Sequence, residues 1–243
     1  QDAGAPSTGD FIDIFLDAEV DLSEVEFGHD TSTTGRKLVL DEVVLQCLLF
    51  LLAGFDTTSN SLSYTTYFLA THPDVQEKLR EEIDAVCTDE EIDFEQIGEL
   101  KYTESVIKET LRHFPLGSVA VTRECTKATV INGHQFDVGD MVFTDTWSLH
   151  MDKQIWGEDA EEFRPERWLE EDNKVPRAAF QAFGEGPRMC IGIRLAMIEE
   201  KIALVRILKK FVIEKTTNTD PLSLIGSMTV SPEKVMVKLV KRN

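Results

Sequence analysis

Apolar residues recur at helical spacing over residues 11–18 and give way to a polar, turn-rich stretch over residues 21–37. Asp41 and Glu42 stand where a helix start favours acidic side chains, and the apolar pattern beyond them continues to Leu69-Ala70, which predicts one long helix. His72-Pro73 ends it, because proline disfavours helix in the residue before it. Pro73, in a first-turn position beside Asp74, opens a charged amphipathic helix that reaches Val86. A further helix is predicted over residues 102–114, stopped by Pro115. After Pro115 the period shortens. Residues 119–123, 129–131, 135–136 and 141–144 read as short strands, with Asn132-Gly133 as a hairpin turn. A helix over residues 193–210 and strands over 212–214 and 235–240 complete the pattern, with no internal repeat and no low-complexity segment. The expected fold is mainly α with small β-sheets, an α+β architecture.

A length of 243 residues and a hydrophobic content of 42% suit one large globular domain or two modest ones, and exclude a disordered chain. The organisation expected is an acidic lead-in with a short helix over residues 1–37 and a single domain over residues 38–243. The formal charge of −19 argues against nucleic acid and anionic membrane surfaces, whose phosphates repel such a field. Its distribution is uneven. The first thirty residues hold nine acids and no Lys or Arg, whereas over residues 174–210 Lys174, Arg177, Arg188, Arg194, Lys201, Arg206, Lys209 and Lys210 face only Glu185, Glu199 and Glu200. That stretch reads as a basic surface. No apolar run approaches the roughly 18–20 residues needed to span a bilayer, and a chain starting at Gln1 reads as a fragment.

Phe183-Gly184-Glu185-Gly186-Pro187-Arg188-Met189-Cys190-Ile191-Gly192 puts one cysteine in a glycine-rich loop immediately ahead of an amphipathic helix. Gly186 and Gly192 allow close backbone approach to a flat ligand, and a helix start favours a negative sulfur. Arg188 adds a permanent cation. The other cysteines lack such a scaffold: Cys47 lies in an apolar run and reads as core packing, while Cys87 and Cys125 show neither C-x-x-C nor Cys/His spacing. The pattern reads as an intracellular, reduced chain. His29, His72, His113, His134 and His150 have no ligand spacing and read as surface or turn residues. In the long helix, Ala53-Gly54-Phe55-Asp56-Thr57-Thr58 puts a glycine and hydroxyls where an apolar helix least favours them, at about 1 kcal/mol for the glycine relative to alanine. Glu109 and Arg112 share a helix face, but Glu77/Arg80, Glu161/Arg164 and Glu185/Arg188 repeat the same spacing.

The cysteine loop, F-x-x-G-x-R-x-C-x-G, resembles the heme-binding loop of cytochrome P450 monooxygenases, and A-G-F-D-T-T resembles the oxygen-binding helix of that family. The resemblance covers nearly the whole chain and about the C-terminal half of such an enzyme. It is closest to animal microsomal enzymes of families three and thirteen, on Phe50-Leu51-Leu52-Ala53-Gly54, Ala70-Thr71-His72-Pro73-Asp74-Val75-Gln76 and Gly186 to Gly192. It implies that Cys190 is the axial thiolate of heme b, that Arg188 and Arg123 hold the propionates, and that Phe183 packs near the sulfur. It also implies that Gly54, beside Ala53, leaves room for dioxygen, that Thr57 hydrogen-bonds it, and that Asp56 relays protons. Glu109, Arg112 and Arg167 become a buried structural ion cluster, residues 116–121 and 224–227 become substrate-facing, and His150 comes near the heme edge. His113, Trp168 and Lys153 depart from the common family pattern without touching the thiolate or the oxygen groove.

The function so implied is insertion of one oxygen atom from O2 into a lipophilic small molecule, in the setting of xenobiotic metabolism. Electrons would come from NADPH through NADPH-cytochrome P450 reductase, with cytochrome b5 as an optional donor. The basic stretch beside Cys190 would steer an acidic donor. An N-terminal anchor outside this sequence would hold the parent on the cytosolic face of the endoplasmic reticulum membrane. Two other readings stand beside it: a thiolate isomerase or peroxide-driven enzyme, which Asp56-Thr57 disfavours, and a catalytically silent truncated remnant that no longer binds heme and at most binds a protein partner.

Overall fold

A computed structural model describes residues 9–18, 38–89, 91–117, 122–170, 175–226 and 229–242. They form two compact units, residues 1–56 and 57–243. The first holds α1 (Phe11–Asp17), whose start is capped by the Asp10 carboxylate accepting from the Ile12 and Asp13 amides. It also holds the first half of α2 (Leu40–Thr71), where Phe50 stacks on Phe11 at 5.3 Å. Among the described residues no helix is long and apolar enough to cross a membrane.

In the second unit, the rest of α2 packs with α3 (Pro73–Val86), α5 (Lys101–His113) and α8 (Ile193–Leu208) around one core containing Tyr64, Leu69, Leu79, Val106, Ile107 and Leu204. The α2–α3 junction follows the predicted proline logic, with Pro73 opening α3. Tertiary partners supply what these helix ends lack. Gln76 Nε2 donates to the Leu69 carbonyl at the end of α2 and to the Ile213 carbonyl, while its Oε1 accepts from the Ile213 amide, each at 2.8 Å. The Glu82 carboxylate of α3 accepts from the Tyr102 amide at 2.6 Å and the Thr103 amide at 2.8 Å, placing a negative charge on the N-terminus of α5. A short α4 (Phe94–Glu99), which the apolar period does not announce, begins with a capping box between Asp93 and Gln96.

Among the described residues, four antiparallel two-stranded ladders complete the unit. β1 (Arg123–Glu124) pairs with β4 (Met141–Val142), and β2 (Thr129–Ile131) with β3 (His134–Phe136) across the Asn132-Gly133 turn. Asn132 at φ 48° and Gly133 at φ 83° are left-handed, as such a turn requires. β5 (Phe211–Lys215) pairs with β8 (Val237–Lys241), and β6 (Leu224–Gly226) with β7 (Val230–Pro232). Of the strand predicted over residues 119–123, Arg123 lies in β1 and Thr122 does not, while residues 119–121 lie outside the described residues. Helices α6 (Thr146–Met151) and α7 (Lys153–Trp156) and a 3-10 turn at Pro165–Trp168 fill the segment between β4 and the cysteine loop.

Replacing Gln76 by Ala removes three hydrogen bonds and strands buried backbone groups of two elements. The expected cost is about 2–4 kcal/mol, since each buried group left unsatisfied costs about 1–3 kcal/mol. Chemical denaturation would read it as a lowered midpoint with an unchanged slope.

Candidate functional site

The cysteine loop is closed by backbone hydrogen bonds. The Cys190 amide donates to the Phe183 carbonyl at 2.9 Å, and the Met189 amide donates to the Gly186 carbonyl at 3.1 Å across a 3-10 turn at Gly186–Arg188. Gly184 at φ 71° and Gly186 at φ 79° provide the left-handed bends. Gly192 is the residue that precedes α8, and a Cβ built there would lie 4.0 Å from Cys190 Sγ, so the sulfur sits beside the start of a helix. Cys190 is exposed, as are Met189 and Ile191, the latter at 86%. Phe183 is half-buried against the core, which anchors the opposite end of the loop.

A buried ion cluster joins α5 to the 3-10 turn at Pro165–Trp168. Glu109 and Arg112 are fully buried and Arg167 is 4% exposed. Arg112 makes a two-pronged contact, Nε to Oε2 at 3.0 Å and Nη2 to Oε1 at 2.9 Å of Glu109. Arg167 Nε donates to Glu109 Oε1 at 2.9 Å, the Arg164 amide to the same oxygen at 3.0 Å, and the Trp168 indole to Oε2 at 2.9 Å. The guanidiniums are spent on backbone. Arg112 reaches the His150 and Ala160 carbonyls at 2.7 Å, and Arg167 the Asp159 carbonyl at 3.0 Å. Burial works against the Glu109 carboxylate, but the Arg112 and Arg167 cations win and hold it below the usual carboxylate range. The other pairs of equal spacing differ: Glu77/Arg80 is a partly exposed helix pair, Arg164 turns to Asp159 and Glu170, and Glu185 faces Arg177. Trp168, read in the sequence as a mere departure from pattern, is thus a member of the cluster.

Two sequence expectations need correction. His150 is neither surface nor turn: it is fully buried, with Nδ1 2.9 Å from the Arg112 carbonyl and Nε2 accepting from the Gln181 amide at 2.9 Å. Those contacts fix a neutral ring protonated at Nδ1 and tie the end of α5 to the segment that enters the cysteine loop. Burial pushes His150 down to about 4, and burial with the Arg112 cation does the same to His113. No local signal marks His150, because its partners are backbone groups distant in sequence. The basic stretch is also less superficial than its composition suggests. Lys201 is buried and bonds Glu104 at 3.0 Å and the Ile97 carbonyl at 3.2 Å, and Glu200 is buried as well. Arg177, Arg188, Arg194, Arg206 and Lys210 remain exposed, and Lys174 lies outside the described residues.

The remaining predicted residues are placed separately. Arg123 is exposed on β1, its guanidinium on the Thr122 carbonyl at 2.8 Å, and among the described residues it forms no ion pair. Ala53, Gly54 and Asp56 belong to the first unit, and a methyl at Gly54 would meet nothing within 4 Å, so packing does not account for the glycine. Thr57 belongs to the second unit and is half-buried. Leu224 and Ile225 of the proposed substrate segments are exposed, while residues 118–121 and 227 lie outside the described residues.

The Cys190 loop has the chemistry to fit a heme. Among the described residues no group of three or more His, Cys, Asp or Glu could cage a metal ion, so a metal bound at Cys190 would take its other ligands from elsewhere, as a tetrapyrrole provides. An exposed sulfur in an open glycine loop, flanked by apolar side chains and an exposed Arg188, suits a flat, apolar, acidic cofactor.

The sequence model of the family described as Cytochrome P450 matches residues 2–239. Among Caenorhabditis elegans proteins named as cytochrome P450s, CYP13A10 is 49% identical over 96% of this chain and 47% of its own length. CYP13A4 is 48% identical over the same shares, and CYP13A3 is 46% identical over 99% of this chain and 49% of its own. The chain thus spans about half the length of these curated relatives.

Glu109→Gln removes the carboxylate from the fully buried Arg112 guanidinium and takes Arg167's shorter ion pair, leaving Arg167 its contact with Asp159 at 3.5 Å, and an expected loss of about 3–5 kcal/mol should appear in chemical denaturation. Acid should act in two stages. His113 and His150 have folded values below the ordinary 6.5, so their contribution is complete above 6.5 and is lost as pH falls through about 4. Glu109, also depressed, contributes above the ordinary carboxylate value of 4.5 and loses this at still lower pH. The thermal midpoint should therefore begin to drop just below pH 6.5, and a flat profile down to pH 4.5 would contradict the assignment.

Proposed function

This chain belongs to the cytochrome P450 family, and from that membership we propose that Cys190 supplies the thiolate of a heme-dependent monooxygenase acting on a lipophilic small molecule. The observation that carries the reading is the exposed Cys190 sulfur, held at the start of α8 in a loop closed by the Cys190 amide and the Phe183 carbonyl. When bound, heme supplies the oxygen-activating redox chemistry, and thiolate ligation assists O–O cleavage, an effect for which P450s are the reference example.

The protein's own part is to bind, orient and move protons. Cys190 stands just ahead of α8, and the hydrogen bond from its amide to the Phe183 carbonyl limits the directions the sulfur can take. Arg188 and Arg123 offer permanent cations to the propionates. Phe183 lies across the loop from Cys190 and limits water near the sulfur. By resemblance Thr57 holds a proton-bearing hydroxyl toward dioxygen, Asp56 passes protons to it, and Ala53-Gly54 leaves space. Glu109, Arg112 and Arg167 take no chemical step; they hold the backbone that leads into the loop. Electrons would arrive from NADPH through cytochrome P450 reductase or cytochrome b5 at the basic face near Cys190, in a parent protein anchored to the endoplasmic reticulum. The exposed apolar residues Leu51, Leu52 and Phe55 of α2 and Ile191 of the loop support one refinement, that this stretch of chain by itself holds heme weakly.

The expected result in the full-length protein is a red-shifted Soret band for the reduced carbon monoxide complex. Cys190→Ala should abolish it while leaving far-ultraviolet circular dichroism intact. A Cys190→Ala protein that kept the band would overturn the ligand assignment.

A further inference from the structure

The segment of α2 beyond Thr57 turns a stripe of buried hydroxyls, Thr58, Ser61 and Thr65, to the body of the second unit, at spacings that share one helix face. Thr65 Oγ1 lies 3.3 Å from Thr110 Oγ1 on α5. Ser61 has no such match. It is 2% exposed and faces the carboxyl of Glu200 on α8, itself 1% exposed, yet neither Ser61 Oγ nor Glu200 Oε2 meets a hydrogen-bond partner among the described residues. Neither residue takes part in the chemistry proposed above.

Two facing polar atoms buried without partners are costly, and an ionised carboxylate would be costlier still. The charged groups around Glu200 give it no relief. On its own helix Glu199 repels it, and Lys201 is committed to Glu104. On the neighbouring elements the cations are also engaged: Arg80 of α3 with Glu77, Lys108 and Arg112 of α5 with Glu104 and Glu109, and Lys215 of β5 with Asp220. On α4, which also packs on α8, the charged side chains are the exposed acids Glu95 and Glu99. One hydrogen bond between Glu200 Oε2 and Ser61 Oγ resolves both orphans in either protonation state, and with no cation to pair with a carboxylate the protonated acid, its O–H donating to Ser61 Oγ, is the less costly form.

We propose that Glu200 is a proton-bearing acid that clasps the Thr57 helix to α8 through Ser61, and that loss of this proton strains the clasp by leaving an unpaired charge in the core. Burial raises the Glu200 carboxyl to about 8, with Ser61, whose hydroxyl can also donate to the ionised form, opposing the rise and Glu199 adding to it, so the carboxyl is neutral at neutral pH and mild alkali puts a buried charge in the clasp. Thr57 sits one turn before Ser61, and α8 begins directly after the Cys190 loop. Glu200 is therefore a positioning residue for Thr57; this last step rests on the role proposed for Thr57, whereas the protonation does not.

The test uses the full-length protein with Glu200→Gln, Ser61→Ala and Glu200→Met, the last being an apolar side chain of similar length in case the amide variant fails to accumulate. Infrared difference spectra at neutral pH should show a protonated carboxyl in the parent that Glu200→Gln and Glu200→Met lack and Ser61→Ala keeps. The folded value is raised above the ordinary 4.5, so this group's contribution to stability is complete below that value and is lost as pH rises through about 8. The parent's thermal midpoint should fall by several degrees relative to Glu200→Gln over that interval. Absence of the carboxyl band, or a constant gap between the two midpoints, would overturn the clasp. For the positioning role, the fraction of reductant recovered as product should fall in the same pH range in the parent and stay level in Glu200→Gln. Equal profiles, with the band and the midpoint shift present, would remove Thr57 positioning alone.

Discussion

A carboxylate and two guanidiniums removed from water are unfavourable unless geometry returns what hydration supplied, and the Glu109 cluster meets that condition. Its carboxylate accepts from Arg112 twice, from Arg167, from the Arg164 amide and from the Trp168 indole. The guanidiniums in turn reach carbonyls at His150, Trp156, Ala160 and Glu162. Each of those carbonyls lies in a segment too short to hold itself as a stable helix. The cluster therefore orders α6, α7 and the 3-10 turn, and removing Glu109 would leave the fully buried Arg112 guanidinium without its carboxylate.

From this cluster the order propagates toward the sulfur by one route that can be named. The Arg112 carbonyl holds His150, His150 accepts from the Gln181 amide, and the residues that follow enter the loop that Phe183 and Cys190 close. The route depends on a neutral imidazole, which burial enforces. The loop is consequently rigid on its inner side and open on its outer side, where Cys190, Met189 and Ile191 stay exposed. A rigid support beneath an exposed ligand is the arrangement that preorganised binding needs.

Much of the fold was legible because it rests on short-range rules. The α2–α3 break at His72-Pro73, the Asn132-Gly133 hairpin and the helix after Gly192 all follow from backbone preferences of single residues. The elements without a sequence signal are those whose stability comes from elsewhere. Helices α6 and α7 lean on the ion cluster, and the β6–β7 pair, two strands of three residues, brings Gly226 so close to Thr229 that a Cβ built on the glycine would lie 1.9 Å from the Thr229 carbonyl oxygen. The likeness to P450 families three and thirteen, drawn from three short motifs, agrees with the CYP13A relatives.

The cysteine loop can be read from the order of residues alone, because Phe183, Gly186, Arg188, Cys190 and Gly192 act across covalent distances of a few residues, where spacing is geometry. Which charges are buried depends instead on how distant elements pack. Glu109/Arg112 and Glu77/Arg80 have identical spacing, yet one pair is sealed from water and the other is partly exposed; His150, Lys201 and Glu200 likewise look solvated until distant elements cover them. The physical reason is that the energy of a charge depends on the dielectric and the partners around it, and those are contributed by residues tens of positions away along the chain.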